Sequence, residues 1–290
     1  GLVLITVNAG PRTIAVAYLA MAAELMILES AERGKAWLLW LLPPLFCVWV
    51  NLHGSWLIGM GLFVLYILCG TMRVHKGVFE QEPFSRAYRH RLLAALGGSV
   101  AALFVNPYGT RLVWNPFDMM LNQKLNIANV GEWRPLSLSS PAGLTAFAAI
   151  CFLVVASGLK SRKWRVYELA FMLFAWYSAL SHMRFLFLAA VLTIPMFAEE
   201  ILRTFELQPD VKSAPAKNAI FVLAMACIVV FLFPSESRLE ARVAQFCPEK
   251  SIAAVRPSWR TFNISDIGGR MALQSKASFI DSRWDIFEHR

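Results

Sequence analysis

Residues 36–71 read AWLLWLLPPLFCVWVNLHGSWLIGMGLFVLYILCGT, two apolar runs, 36–51 and 54–71, separated only by Leu52-His53. A segment that crosses the hydrocarbon layer of a bilayer needs roughly 17–25 apolar residues. Two such runs joined by two residues predict a tight helical hairpin at one membrane surface, or one helix bent at Asn51–Gly54. Working outward, further apolar runs fall at 13–30, 92–106, 141–158, 166–181, 184–200 and 218–234. Runs of about 16 residues require tilted, broken or re-entrant segments. The expected fold is therefore an all-α polytopic membrane protein with about eight transmembrane helices.

Composition agrees. Of 290 residues 57% are apolar and 16% charged, with a mean hydropathy of +0.52; soluble domains sit near 45–50% and about 25%. Trp37, Trp40, Trp49, Trp56, Trp114 and Trp133 fall near segment ends and read as interfacial anchors. The net charge of +9 does not point to nucleic acid, because no basic stripe with interleaved exposed aromatics is present. Cys47, Cys69, Cys151 and Cys227 lie inside apolar runs and Cys247 stands alone outside them, so no disulfide framework or paired-cysteine metal site is predicted.

Alternate connections differ in basic charge. Those near 31–35, 72–91, 159–165 and 201–217 hold 14 Lys and Arg; those near 12, 51–54, 106–140 and 181–184 hold 5. The positive-inside rule places the first set in the cytoplasm. Beyond the last run, residues 235–290 carry nine Lys/Arg and seven Asp/Glu. The chain thus divides into a transmembrane domain, 1–234, and the start of a small extracytoplasmic α/β domain, 235–290. There Gly268-Gly269 reads as a turn and Ala277-Ser278-Phe279-Ile280 as a strand. Opening at Gly1 inside an apolar stretch and ending at Arg290, the sequence reads as a piece of a longer protein.

The unusual polar groups cluster on the side poor in Lys and Arg: Asn51-Leu52-His53-Gly54, Asn106-Pro107-Tyr108-Gly109, Glu132-Trp133-Arg134-Pro135 and Ser181-His182-Met183-Arg184. Polar groups at membrane depth are costly unless they face a cavity. Taken singly, each has a plain structural explanation: a helix stop, a turn histidine, a surface ion pair, an interface arginine. Their shared sidedness predicts one pocket opening outward. In it His53 or Glu132 would act as general base toward a hydroxyl, and Arg134 and Arg184 would hold phosphate oxygens. Glu24, inside the first run, reads as reaching the headgroups beside Glu29, although a transporter would use such a carboxyl as a proton relay. No phosphate-binding Gly loop, HExxH helix or Gly-x-Ser-x-Gly elbow is present in the sequence.

The series Pro43-Pro44-Leu45, Trp49-Val50-Asn51-Leu52-His53-Gly54-Ser55, Asn106-Pro107-Tyr108-Gly109, Glu132-Trp133, Pro135 and His182-Met183-Arg184-Phe185, with the ending Phe279-Ile280-Asp281-Ser282-Arg283, resembles bacterial polytopic proteins of the type-C glycosyltransferase superfamily. Those proteins are grouped with dolichyl-phosphate-mannose mannosyltransferase-like or lipid A core galacturonosyltransferase-like domains. The resemblance implies transfer of a sugar from a polyprenyl-phosphate donor to a cell-envelope lipid or glycan acceptor, at the outer face of a bacterial inner membrane. Taken with the pocket reading, the expected site has His53 and Glu132 as catalytic residues and Asn51, Asn106, Tyr108, Arg134, His182 and Arg184 as substrate-binding residues. Asp281 and Arg283 match the family pattern at positions of unknown role and are grouped with the substrate-binding residues. In the superfamily an acidic residue of the first extracytoplasmic loop serves as base or metal ligand. That loop would precede Gly1, and this chain offers no identifiable ligand set for a divalent metal. Ile267 and Arg270 depart from the aromatic and Tyr expected around the Gly pair, which weakens any sugar-stacking role for the tail. The rival expectations are a transporter or lipid flippase using the same cavity, and a non-catalytic membrane assembly subunit.

Overall fold

The computed structural model describes residues 14–122, 131–159, 163–204, 237, 241, 249–259, 261–263 and 265–278. The chain divides into two compact units, Gly1–Gln208 and Pro209–Arg290. The sequence reading set its boundary at 234; the span expected at 218–234 lies outside the described residues, as do Asp281 and Arg283.

The first unit is built from helices α1 (Ile14–Glu32), α2 (Leu42–Leu52), α3 (Trp56–Cys69), α4 (Arg86–Ala102), α5 (Thr110–Asn122), α6 (Pro141–Leu159), α7 (Val166–Ser181) and α8 (Leu186–Thr204). A short hairpin pairs β1 (Val74–Lys76) with β2 (Phe79–Gln81), Val74 facing Gln81. Six of the seven apolar runs in this unit fold mainly as α1, α2, α3, α6, α7 and α8, the run 36–51 opening with a 3-10 helix, Ala36–Leu41, before α2. The seventh, 92–106, lies mostly in α4, which starts earlier because Ser85 Oγ accepts the Tyr88 N–H at 3.2 Å as an N-cap.

Local chemistry sets the breaks. α1 stops where Gly34, at φ +104°, takes the left-handed conformation that its missing Cβ permits. The Lys35 N–H then reaches Ser30 O and the Gly34 N–H reaches Ala31 O, the paired bonds of a Schellman turn. Pro43 and Pro44 sit in the first turn of α2, where backbone N–H groups have no intrahelical partner to lose. Ser140 Oγ accepts the Gly143 N–H at 3.0 Å, starting α6 with Pro141 in its first position.

Packing is strongest between α2 and α4 and between α7 and α8, with α1 against α2. Trp49, Phe46, Phe63, Tyr66 and Phe187 are fully buried at its centre. Trp49 and Trp56 are therefore core residues, a correction to their reading as interfacial anchors. Trp37, Trp40 and Trp114 are exposed as expected. The helices are also apolar on their outer faces: Leu19 is 73% exposed, Val154 65%, Leu144 59% and Leu173 59%.

One helix among the described residues, Met183–Thr204, is long and apolar enough by itself to cross a membrane. Ala36–Leu52, Trp56–Cys69, Pro141–Val155 and Val166–Ser181 are apolar but shorter. Amphipathic α5 occupies a stretch read from the sequence only as loop.

The connections sort to two ends. The β1–β2 hairpin is tied to the 159–165 connection by Glu80 N–H to Trp164 O, 3.0 Å, and Trp164 N–H to Val78 O, 2.7 Å. At the same end Glu32, closing α1, accepts from Arg165 at 2.5 Å and from Tyr66 and Tyr167 at 3.2 Å. These are the connections rich in Lys and Arg.

Glu24 departs from its expectation. It is fully buried, and neither carboxyl oxygen has a hydrogen-bond partner among the described residues. A Cβ built at Gly59 would lie 2.7 Å from Glu24 Oε2 and 2.5 Å from the Trp49 ring, so the carboxyl lies in the core. Glu29, at the surface, instead pairs with Arg33 at 2.6 Å. An unsatisfied buried polar group costs about 1–3 kcal/mol. Glu24→Met, similar in length and apolar, is expected to stabilise the fold by about that amount, read as a raised unfolding midpoint in detergent. A lowered midpoint would show that the carboxyl contributes a favourable interaction.

In the second unit, α9 (Glu249–Ala254) and α10 (Ser265–Leu273) are joined by Glu249, which accepts from Arg270 Nε at 2.6 Å and Gln274 Nε2 at 3.0 Å. Lys276 Nζ donates to the carbonyls of Ile252 and Ala253 at the end of α9, where a cation is favoured. Gly268-Gly269 is helical, not a turn. Each glycine costs about 1 kcal/mol against alanine, offset here by the Arg270 bridge and burial of Met271. Among the described residues this unit contains no strand; Phe279 and Ile280 lie outside them.

Candidate functional site

At the end opposite the Lys/Arg-rich connections, a cavity of about 240 Å³ is lined by His53, Ser55, Trp133 and Arg184. Leu57, Ile58 and Phe187 form apolar walls, and α5 contributes Asn115, Pro116, Met119 and Met120.

The break between α2 and α3 positions His53. The His53 backbone is extended at the end of α2, with φ −159° and ψ 137°. The imidazole Nδ1 lies 2.7 Å from Ser55 Oγ and accepts the Ser55 backbone N–H at 3.1 Å. Ser55, itself buried, accepts the Trp49 Nε1–H at 3.0 Å. Burial, and secondly the Arg184 guanidinium, hold the His53 imidazole below its ordinary value.

The sign follows. Above pH 6.5 His53 is neutral in folded and unfolded chain alike. As pH falls below 6.5 the unfolded chain takes up the proton more readily, so stability is lost on acidification.

Arg184 and Trp133 also line the cavity. The guanidinium lies 5.2 Å from the Trp133 ring centre and 3.7 Å from Glu132 Oε2, a cation–π contact and an ion pair on one side chain. The two segments are pinned by backbone bonds: Met183 N–H to Arg134 O at 3.0 Å and Leu136 N–H to Leu180 O at 3.0 Å. The His182 and Trp133 rings meet edge to face at 5.6 Å. His53, Glu132, His182 and Arg184, from three separate stretches of sequence, are thus gathered at this end.

The other expected site residues lie elsewhere. Asn51 Nδ2 donates to Cys47 O at 2.8 Å and Val105 O at 2.9 Å, tying the end of α2 to the end of α4. Asn106 Nδ2 donates to Leu103 O and Gly109 O, and its Oδ1 accepts the Tyr108 N–H at 2.8 Å, closing the turn before α5. Tyr108 is 68% exposed, and neither it nor Asn51, Asn106 or Arg134 lines the cavity. Glu132 and His182 do not line it either, but stand beside it against Arg184 and Trp133.

Sequence reasoning missed Ser55 and the α5 wall. The Ser55 signal was readable two residues after His53; the α5 signal was the apolar spacing of Met119 and Met120 after Pro116. Among the described residues no three His, Cys, Asp or Glu side chains gather to hold a metal. No protein-family model, no curated protein and no solved structure matches this chain.

Proposed function

We propose that the protein is a polytopic membrane glycosyltransferase that moves a sugar from a polyprenyl-phosphate donor to a cell-envelope lipid or glycan acceptor on the extracytoplasmic face. The observation that carries this reading is the cavity itself. It sets an arginine and a histidine against an apolar wall, at the end of the helices where the connections are poor in Lys and Arg. Such a pocket suits a ligand with an anionic head and an apolar chain.

Support for the membrane setting comes from helices that are apolar on outer as well as inner faces. The meeting of the 72–82 and 159–165 connections at one end supports the two-sided topology.

In the proposed reaction Arg184 holds the phosphate oxygens, its guanidinium oriented by Trp133 and Glu132. The Glu132 carboxylate accepts the proton of the acceptor hydroxyl, whose oxygen bonds to the anomeric carbon. The bond from that carbon to the phosphate oxygen breaks, and the polyprenyl phosphate leaves with the electron pair. The resemblance leaves room for a divalent metal, which this scheme does not use.

The full-length protein in proteoliposomes with radiolabelled polyprenyl-phosphate sugars tests this directly. Label is expected to reach a lipid or glycan acceptor with wild type and to collapse in Glu132→Ala and His53→Ala. Absence of transfer across a broad donor panel, with folded protein, would overturn the reading. One observation favours a second one: the buried carboxyl of Glu24 is the kind of group a proton-coupled transporter carries inside the membrane. Accumulation of substrate that Glu24→Gln abolishes, without bond cleavage, would replace the first reading by this one.

A further inference from the structure

The hydrogen-bond polarity around His53 decides which of its nitrogens carries the proton. A backbone N–H can only donate, so Nδ1, which receives the Ser55 N–H at 3.1 Å, presents a lone pair. An indole N–H also only donates, so Ser55 Oγ receives the Trp49 Nε1–H at 3.0 Å. The hydroxyl proton of Ser55 is then free to point at Nδ1, 2.7 Å away. Every contact runs in one direction: indole to hydroxyl to imidazole. The proton of the neutral ring is left on Nε2, the nitrogen not engaged by Ser55, in a residue that lines the cavity together with Arg184.

We propose that Ser55, anchored by Trp49, is a positioning residue that locks His53 as its Nε2–H tautomer, so that His53 serves the cavity as a hydrogen-bond donor to a phosphate oxyanion and not as a general base. The proposal rests on the functional reading above and changes one role within it: His53 and Arg184 together hold the anionic head, leaving proton abstraction to Glu132. A half-buried neutral donor facing developing negative charge contributes without a proton transfer of its own.

The test is nitrogen NMR of histidine-labelled full-length protein in nanodiscs, with the His53 signals among five histidines assigned by their loss in His53→Gln. Wild type is expected to show an unprotonated Nδ1 and a protonated Nε2. Ser55→Ala removes the hydroxyl donor but keeps the backbone N–H, so it is expected to shift part of the population toward the Nδ1–H form. Ser55→Thr, which keeps the hydroxyl, is expected to restore the wild-type pattern, and an unshifted Ser55→Ala would overturn the role of the hydroxyl. Inorganic phosphate in neutral-lipid nanodiscs, and polyprenyl phosphate incorporated into nanodiscs, form two arms. Movement of the Nε2–H signal in either arm supports the donor role and identifies the source of the phosphate. A proton on Nδ1 in wild type, or an unmoved Nε2 in both arms, overturns it.

In the transfer assay His53→Ala is expected to lose about 10²–10³-fold, the cost of one oxyanion donor. His53→Gln, whose amide can reproduce the donor, is expected to retain at least tenfold more transfer than His53→Ala. Equal loss in the two variants, with both folded, would return His53 to the role of base. The tautomer needs no turnover to be read, so failure of this inference and failure of the glycosyltransferase reading are separable.

Discussion

Arg184→Met is expected to lower transfer by about 10²–10³-fold while leaving the fold intact. Arg184 is the cation among the cavity's lining residues, held by the Trp133 face and the Glu132 carboxylate. The Met side chain keeps the apolar contact with Trp133 and removes the charge and the fork of N–H donors. Arg184→Lys restores the charge without the planar fork and is expected to recover only part of the loss. The same substitution carries a pH signature. The guanidinium is one of two causes holding His53 below its ordinary value, so its removal moves the His53 titration back toward 6.5. Protonation then begins at higher pH in Arg184→Met than in wild type. A turnover rate unchanged by Arg184→Met would remove the cavity from the chemistry.

The second large effect lies in the core beneath the site. A Cβ at Gly59 would stand 2.5 Å from two atoms of the Trp49 ring and 2.7 Å from Glu24 Oε2. Trp49 is fully buried and its indole N–H is engaged by Ser55, so the ring cannot retreat without disturbing the support of His53. Gly59→Ala is expected to destabilise by about 1–3 kcal/mol, as overpacking does, and to lower transfer as well. Trp49→Phe vacates the ring edge in question at the loss of the indole N–H. Gly59→Ala combined with Trp49→Phe is therefore expected to cost less than the sum of the single changes, read as unfolding midpoints in detergent. Strict additivity would mean that Gly59 and Trp49 do not share the close approach.

The helices were legible because an apolar run of 16 or more residues records burial or lipid on every side, and such runs mark α1, α2, α3, α6, α7 and α8. What those runs do not record is which flank faces inward. Trp49 and Trp56 sit at run ends and look interfacial, yet the His53–Ser55 break places both in the core. Helix α5 was hidden because its apolar residues are spaced for one face only, too sparsely for a hydropathy window. Gly268-Gly269 illustrates the opposite failure, a strong local turn signal overridden by tertiary contacts through Arg270 and Met271.

The site was half legible. Of the residues singled out by common sidedness, His53 and Arg184 line the cavity, while Glu132 and His182 stand beside it against Arg184 and Trp133. Asn51, Asn106 and Tyr108 share that sidedness, but the two asparagine amides are used by backbone carbonyls and Tyr108 faces outward. Sidedness cannot distinguish a polar group that lines a cavity from one that closes a turn beside it. That distinction depends on partners contributed by distant segments, such as Val105 for Asn51.

The central claim is that the cavity opens on the face opposite the Lys/Arg-rich connections of a membrane-embedded helical unit. Its most direct test is labelling of single cysteines by a membrane-impermeant maleimide in sealed, oriented vesicles, starting from protein cleared of its five native cysteines. One variant carries Met120→Cys on the cavity wall, the other Glu80→Cys on the β2 strand; both positions are exposed. The account predicts that Met120→Cys labels only from the extracytoplasmic side and Glu80→Cys only from the cytoplasmic side. Labelling of both from the same side would contradict it.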